Sequence, residues 1–130
     1  MKKNILALLV IFILILSVFT GCQKETGLSI EERIRAFVKD LNGPRLNIRD
    51  HFHNSSSFSN INNAVILTTF PLGSTYGVKS ISTVSSLSSS TRSVDITKSG
   101  SGDINGVIFV MREEGKDDWY INNITYVNLP

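Results

Sequence analysis

Asn105-Gly106-Val107-Ile108-Phe109-Val110-Met111-Arg112-Glu113, then Glu114-Gly115-Lys116, then Trp119-Tyr120-Ile121 running on to Val127, is the stretch whose reading decides the fold. Val107 to Met111 is a short run of β-branched and aromatic residues, the composition that suits a pleated, buried strand. Gly115 sits in a polar turn. Trp119, Ile121 and Ile124 carry the apolar side of a second strand, so Asn105 to Glu113 and Trp119 to Val127 read as a β-hairpin. Residues 99–104 turn a preceding strand into it.

Upstream of the hairpin, 13 of the 22 residues from 80 to 101 are Ser or Thr. A disordered low-complexity tract has such a composition. Solvated strands are preferred here, because Val78, Ile81, Val84, Leu87, Val94 and Ile96 keep supplying apolar side chains. A sheet with one polar face uses Ser and Thr in this way. Residues 61–70 hold the short apolar run Ala64-Val65-Ile66-Leu67, which periodicity assigns to neither helix nor strand. Residues 54–60 read as a loop, and residues 46–53 as a short helix with Leu46, Ile48 and Phe52 apolar.

The first element after the leader has the clearest pattern. Ile30, Ile34, Phe37, Val38 and Leu41 recur at helical spacing. Glu31, Glu32, Arg33, Arg35, Lys39 and Asp40 fill the other side. Ser29 with Glu32 forms a capping box. Asn42-Gly43-Pro44 ends the helix, with Gly43 suited to a left-handed turn.

The N-terminus is a different material. Fifteen of the first 21 residues are apolar, against 39 of the remaining 109. Lys2 and Lys3 precede an unbroken apolar run from Ile5 to Leu16, and Thr20-Gly21 precede the single cysteine, Cys22. This is the layout of a cleaved signal peptide; the run is short of the roughly 20 residues of a spanning helix. Lys2 and Lys3 also carry the whole formal charge of +2, so 11 basic and 11 acidic residues remain from Cys22 onward. A neutral domain with no basic patch argues against nucleic acid. One cysteine excludes an internal disulfide framework and a cysteine-cluster metal site. About 108 residues support one modest core. The division expected is therefore 1–21 leader, 22–27 lipidated cysteine and short tether, and 28–130 one domain.

Phe19-Thr20-Gly21-Cys22 resembles the lipobox that ends the leader of bacterial lipoproteins, with Phe19 in place of the usual aliphatic residue. The resemblance implies cleavage after Gly21, acylation of Cys22 and anchoring in the bacterial cell envelope. In a diderm host, Gln23 after the cysteine implies the outer membrane. Helices followed by an antiparallel meander give an α+β layout. The helix around Phe37, the Asp50-His51-Phe52 segment and the final hairpin with Asp118-Trp119-Tyr120-Ile121 together resemble the nuclear transport factor 2-like (cystatin-like) roll. That family includes isomerases, dehydratases and non-catalytic binding proteins, and its members often pair through the sheet, which makes a homodimer one possible state.

Candidate chemistry is sparse. Asp50-His51-Phe52-His53 is the only cluster of catalytic residue types. On a strand the two histidines face one way and can hold a metal; at the helix end expected here they diverge by about 200° and cannot. His51, oriented by Asp50 or Asp40, is the candidate acid or base. Asp117-Asp118 are adjacent carboxylates at a turn, ordinarily solvated rather than ligating calcium. No nucleophile elbow or phosphate loop is present, and no cofactor or metal is signalled. Trp119, Tyr120 and Tyr126 form an aromatic set, and all three are candidate contacts for a ligand or partner. Strict alternation puts Trp119 on one strand face and Tyr120 with Tyr126 on the other, so that if one face is core the other lines a cleft or a binding surface. The leading reading is a lipid-anchored, non-enzymatic binding module for a partner protein or a small apolar ligand. The alternatives are a small-molecule isomerase or hydrolase whose pocket holds His51 and Tyr120, and a structural envelope protein.

Overall fold

The computed structural model of the chain describes residues 27–56, 64–100 and 102–126. The leader, Cys22, most of the tether and part of the 54–60 loop lie outside them. Among the described residues the architecture is α+β. Helix α1 (Ile30–Leu41) is followed by a single 3-10 turn (Ile48–His51) and helix α2 (Ala64–Thr69). The antiparallel sheet is formed by β1 (Tyr76–Thr83), β2 (Thr91–Lys98), β3 (Ile104–Glu113) and β4 (Trp119–Tyr126), in spatial order β1-β2-β3-β4. Among the described residues, no helix is long and apolar enough to cross a membrane.

Helix α1 begins where its capping box predicts. The Glu32 amide donates to Ser29 Oγ (3.3 Å) and the Ser29 amide donates to Glu32 Oε2 (2.9 Å). That amide, with the Ser29 hydroxyl, holds the Glu32 carboxyl below the usual carboxylate range. Ile30, Ile34, Phe37, Val38 and Leu41 are buried, and so is Arg33, which corrects its placement on the polar side. The helix ends at Leu41, but the left-handed residue of the following turn is Arg45 (φ 59°) rather than Gly43. Arg45 is held there by its side chain, which donates to Leu41 O (2.9 Å) and Phe70 O (2.8 Å). The short helix read over 46–53 contracts to one 3-10 turn. Beyond it Phe52 is extended and forms an isolated parallel bridge with Ile121.

The Ser/Thr-rich tract forms the second half of β1 and all of β2, but Val84 and Leu87, expected in strands, lie in the turn over 84–90, where Leu87 is exposed. Ile81 faces Val94 and Val78 faces Ile96 across the pair, all four packed with the core. The alternate positions hold Ser80, Ser82, Ser93 and Thr97. Their hydroxyls bond locally, Ser80 to Asp95 (3.0 Å) and Thr97 to Gly77 O (3.2 Å). A β-bulge at Asn105-Gly106 keeps Ile104 and Val107 both on the core side. Gly106 takes positive φ (73°) there, where only glycine is free of strain. Its amide donates to Asp95 Oδ1 (2.9 Å) and, with the Ser80 hydroxyl, holds that carboxyl below the usual range.

The space between helix and sheet is filled by rings. Phe37, at 0% exposure, meets Phe52, Phe70 and Phe109 edge-to-face at centroid distances of 5.7, 5.9 and 5.9 Å. Both sheet edges are engaged, as exposed strand edges generally must be. On the β1 edge, the Asn42 side chain accepts from the Tyr76 amide (2.7 Å) and donates to Tyr76 O (2.8 Å). This amide imitates one residue of a neighbouring strand and locks the end of α1 to β1. Asn42→Ala removes both bonds beside a buried tyrosine, and is expected to lower unfolding free energy by about 1–2 kcal/mol in a urea titration. On the β4 edge, the Trp119 amide donates to Leu28 O (2.9 Å), the His53 amide to Ile121 O (2.9 Å) and the Ser56 hydroxyl to Asn122 O (2.6 Å).

Candidate functional site

The β4 edge is where chemistry-bearing side chains converge, because three segments distant in sequence meet there. Residues 49–54 run alongside β4 through the Phe52–Ile121 bridge. The β3–β4 turn supplies Glu114 and Asp118. The start of α1 brings Arg33 across the first residues of β4.

Asp118 is the centre of this junction. Its Oδ1 accepts from the Leu28 amide (3.3 Å) and from Arg33 Nη2 (3.1 Å), and its Oδ2 accepts from the Tyr120 hydroxyl (3.0 Å). Arg33, only 8% exposed, also donates through Nε to Trp119 O (2.7 Å). Its guanidinium carbon lies 4.3 Å from the Tyr120 ring centroid, a cation–π contact. Gly27 runs so close to Asp118 that any Cβ at position 27 would overlap the Asp118 side chain and backbone.

The bond from Tyr120 to Asp118, with burial and the Asp118 charge, raises the phenol's pKa above its ordinary value near 10, against the opposing pull of Arg33. A phenol whose pKa is raised on folding contributes stability below about pH 10, and that contribution is lost as pH rises through the folded value. Tyrosinate absorbance is expected to show Tyr120 ionising above its ordinary range. Asp118→Asn, which removes the charge, should bring that ionisation back toward the ordinary value.

On the other side of Tyr120, His53 approaches edge-on at 6.4 Å between centroids. His53 Nδ1 accepts from the Ser55 amide (3.1 Å) and lies 2.7 Å from Ser55 Oγ. An amide donor at Nδ1 requires that nitrogen to be unprotonated, so the neutral ring carries its proton on Nε2, 3.7 Å from Glu114 Oε2. Arg112 Nη1 donates to Ser55 Oγ (2.8 Å), which also lies 3.3 Å from Asn122 Oδ1. The Ser55 hydroxyl is thus tied into a local turn rather than presented as a nucleophile.

Between the two flanking segments lies an open cleft of about 800 Å³. Arg49, Asp50, Phe52 and Asn54 line one side, and Glu114, Asp118 and Tyr120 the other. Its lining is mainly polar.

The residues singled out in the sequence separate into distinct surroundings. Asp50 lines the cleft. His51 does not. It is 7% exposed, its Nε2 lies 2.6 Å from Asp40 Oδ2, and its ring meets Phe37 edge-on at 6.1 Å. Of the two carboxylates expected to orient it, Asp40 does so. His51 Nδ1 is buried with no hydrogen-bond partner among the described residues, so the ring braces α1 against the 3-10 turn. His51 and His53 have separate neighbours and share no site. No group of three or more metal-ligating side chains occurs among the described residues.

Trp119 and Tyr120 occupy opposite faces, but Tyr126 does not share the face of Tyr120. A β-bulge sets Met111 opposite Ile121 and Val110 opposite Asn123, so Asn122 is the extra residue and the alternation shifts by one. Tyr126 then faces buried Val107 and packs with Trp119 and Ile124 against the core.

Arg33, Arg49, Asn54 and Glu114 were not anticipated as site residues, and His53 was weighed only as half of a metal-binding pair with His51. For Arg33 the signal was present: it lies three residues after Ile30 and one before Ile34, inside the apolar stripe. No protein-family model, curated protein or solved structure matches this chain.

Proposed function

We propose that the chain is exported, cleaved after Gly21 and acylated on Cys22, and that residues 28–130 form a nuclear transport factor 2-like (cystatin-like) roll. The domain acts as a non-enzymatic binding module tethered in the bacterial cell envelope, at the outer membrane in a diderm host. The observation that carries the binding reading is the filled interior. Where a conical catalytic pocket would open between helix and sheet, the Phe37 rings and their neighbours close the space. The isomerase or hydrolase alternative needs His51 and Tyr120 in one pocket. His51 faces Asp40 and Phe37, whereas Tyr120 lines the outer cleft. The polarity of that cleft favours a charged or hydrogen-bonding partner over an apolar one.

The anchor is tested by the intact mass of chain extracted from membranes. A chain starting at Cys22 and carrying acyl mass is expected, and Cys22→Ser should abolish the acyl mass and release the protein from the membrane fraction. A membrane-extracted chain that retains Met1 and carries no acyl group overturns the reading.

A further inference from the structure

We propose that the cleft between residues 49–54 and 114–120 binds a zwitterionic headgroup of the phosphoethanolamine class, presented by the membrane that anchors the chain. This rests on the acylation of Cys22 proposed above.

The cleft holds uncommitted charge of both signs on a braced wall. Arg49 and Asp50 are exposed, and their side chains make no hydrogen bond or ion pair among the described residues. Glu114 is half-exposed, and its carboxylate lies 3.7 Å from His53 Nε2. The wall behind them is held by the Asp118–Arg33–Tyr120 junction and the His53–Ser55–Arg112 turn. A ligand therefore meets preset groups rather than having to order them. A primary ammonium carries three N–H donors, which suit acceptor-only carboxylates at Asp50 and Glu114. A phosphodiester suits the guanidinium of Arg49. With Arg33 paired to Asp118, the carboxylates of Asp50 and Glu114 outnumber the Arg49 guanidinium in the cleft, so a phosphate without an ammonium is disfavoured.

Position supplies the source of the ligand. Asp118, a cleft residue, bonds the Leu28 amide, and Trp119 bonds the Leu28 carbonyl. The tether thus enters the domain at the cleft. Leu28 lies six positions after Cys22, a reach of roughly 20 Å at most, which keeps this end of the domain at headgroup level.

The test titrates the mature chain from Cys22 with glycerophosphoethanolamine, followed by amide chemical shifts. Inorganic phosphate and ethanolamine are the separate probes. Saturable shifts at Asp50, Asn54, Glu114 and Tyr120 are expected, with weaker responses to either fragment alone. Glu114→Gln and Arg49→Gln, both at exposed positions, should each weaken binding about fivefold with unchanged thermal unfolding. In a flotation assay, acylated chain bearing both substitutions should remain on the vesicles, but its Tyr120 shift on phosphatidylethanolamine should vanish.

No shift, shifts away from the cleft, an equal response to inorganic phosphate, or indifference to both substitutions overturns the proposal. The acyl mass at Cys22 separates the two readings. Acylated Cys22 with a silent cleft overturns the headgroup site and leaves the anchor standing. An unacylated Cys22 with a positive titration overturns the membrane source.

Discussion

Phe37→Ala is expected to destabilise the domain by about 3–5 kcal/mol, the largest single effect of any substitution considered. Phe37 is fully buried, and its ring meets those of Phe52, Phe70, Phe109 and His51 together. Its removal leaves a cavity bounded by four elements that cannot collapse on one another without moving the helix. The edge-to-face pairs add to the loss, at about 0.5–1.5 kcal/mol each beyond simple burial. Domains of this size are stable by only about 5–15 kcal/mol, so the variant should unfold at much lower denaturant, or be unfolded at growth temperature. Chemical denaturation followed by far-ultraviolet circular dichroism measures this. Leu46→Ala, at a position 83% exposed, is the matched control and should change stability by less than about 0.5 kcal/mol. Equal losses in the two variants would mean that the core is not centred on Phe37.

Asp118→Ala should cost about 2–4 kcal/mol, because it strands Arg33, a nearly buried cation, and frees the Leu28 amide and the Tyr120 hydroxyl at once. Asp118→Asn keeps an acceptor oxygen and should cost less. The double variant Arg33→Met with Asp118→Ala should recover part of the loss, since it removes the unpaired charge and leaves the apolar stem in place. A thermodynamic cycle over these variants isolates the ion pair from the two neutral bonds. Local readouts should move with it: fraying of the chain before Ile30, seen as faster amide exchange at Leu28, and earlier ionisation of Tyr120. A loss confined to global stability, with exchange at Leu28 unchanged, would mean that the tether is not held by Asp118.

Much of the layout was legible because it rests on local rules. The capping box at Ser29 and Glu32, the terminal hairpin and the apolar residues threaded through the Ser/Thr tract each report backbone preferences within a few residues. The candidate site was less legible, since it is made by side chains 50 to 90 positions apart. Tyr126 illustrates a pattern that was available and needed a different reading. Apolar positions 119 and 121 share one phase, and 124 and 126 the other; such a phase change inside one strand marks a bulge. Arg33 illustrates the same for helices, as a cation inside an apolar stripe calls for a buried partner. Nothing local marks that partner as Asp118, or marks His51 as a brace for α1.

The sequence by itself therefore determined the α+β class, the hairpin, the helix start and the polar outer face of the sheet. Periodicity and capping act between neighbours along the chain, so the linear order contains them. Only the tertiary structure decided that Arg33 closes onto Asp118, that the tether enters beside the cleft, and that Phe rings fill the space between helix and sheet. Those outcomes depend on which distant surfaces meet, and they are set by the competition among all segments to bury apolar area while leaving no buried charge unpaired.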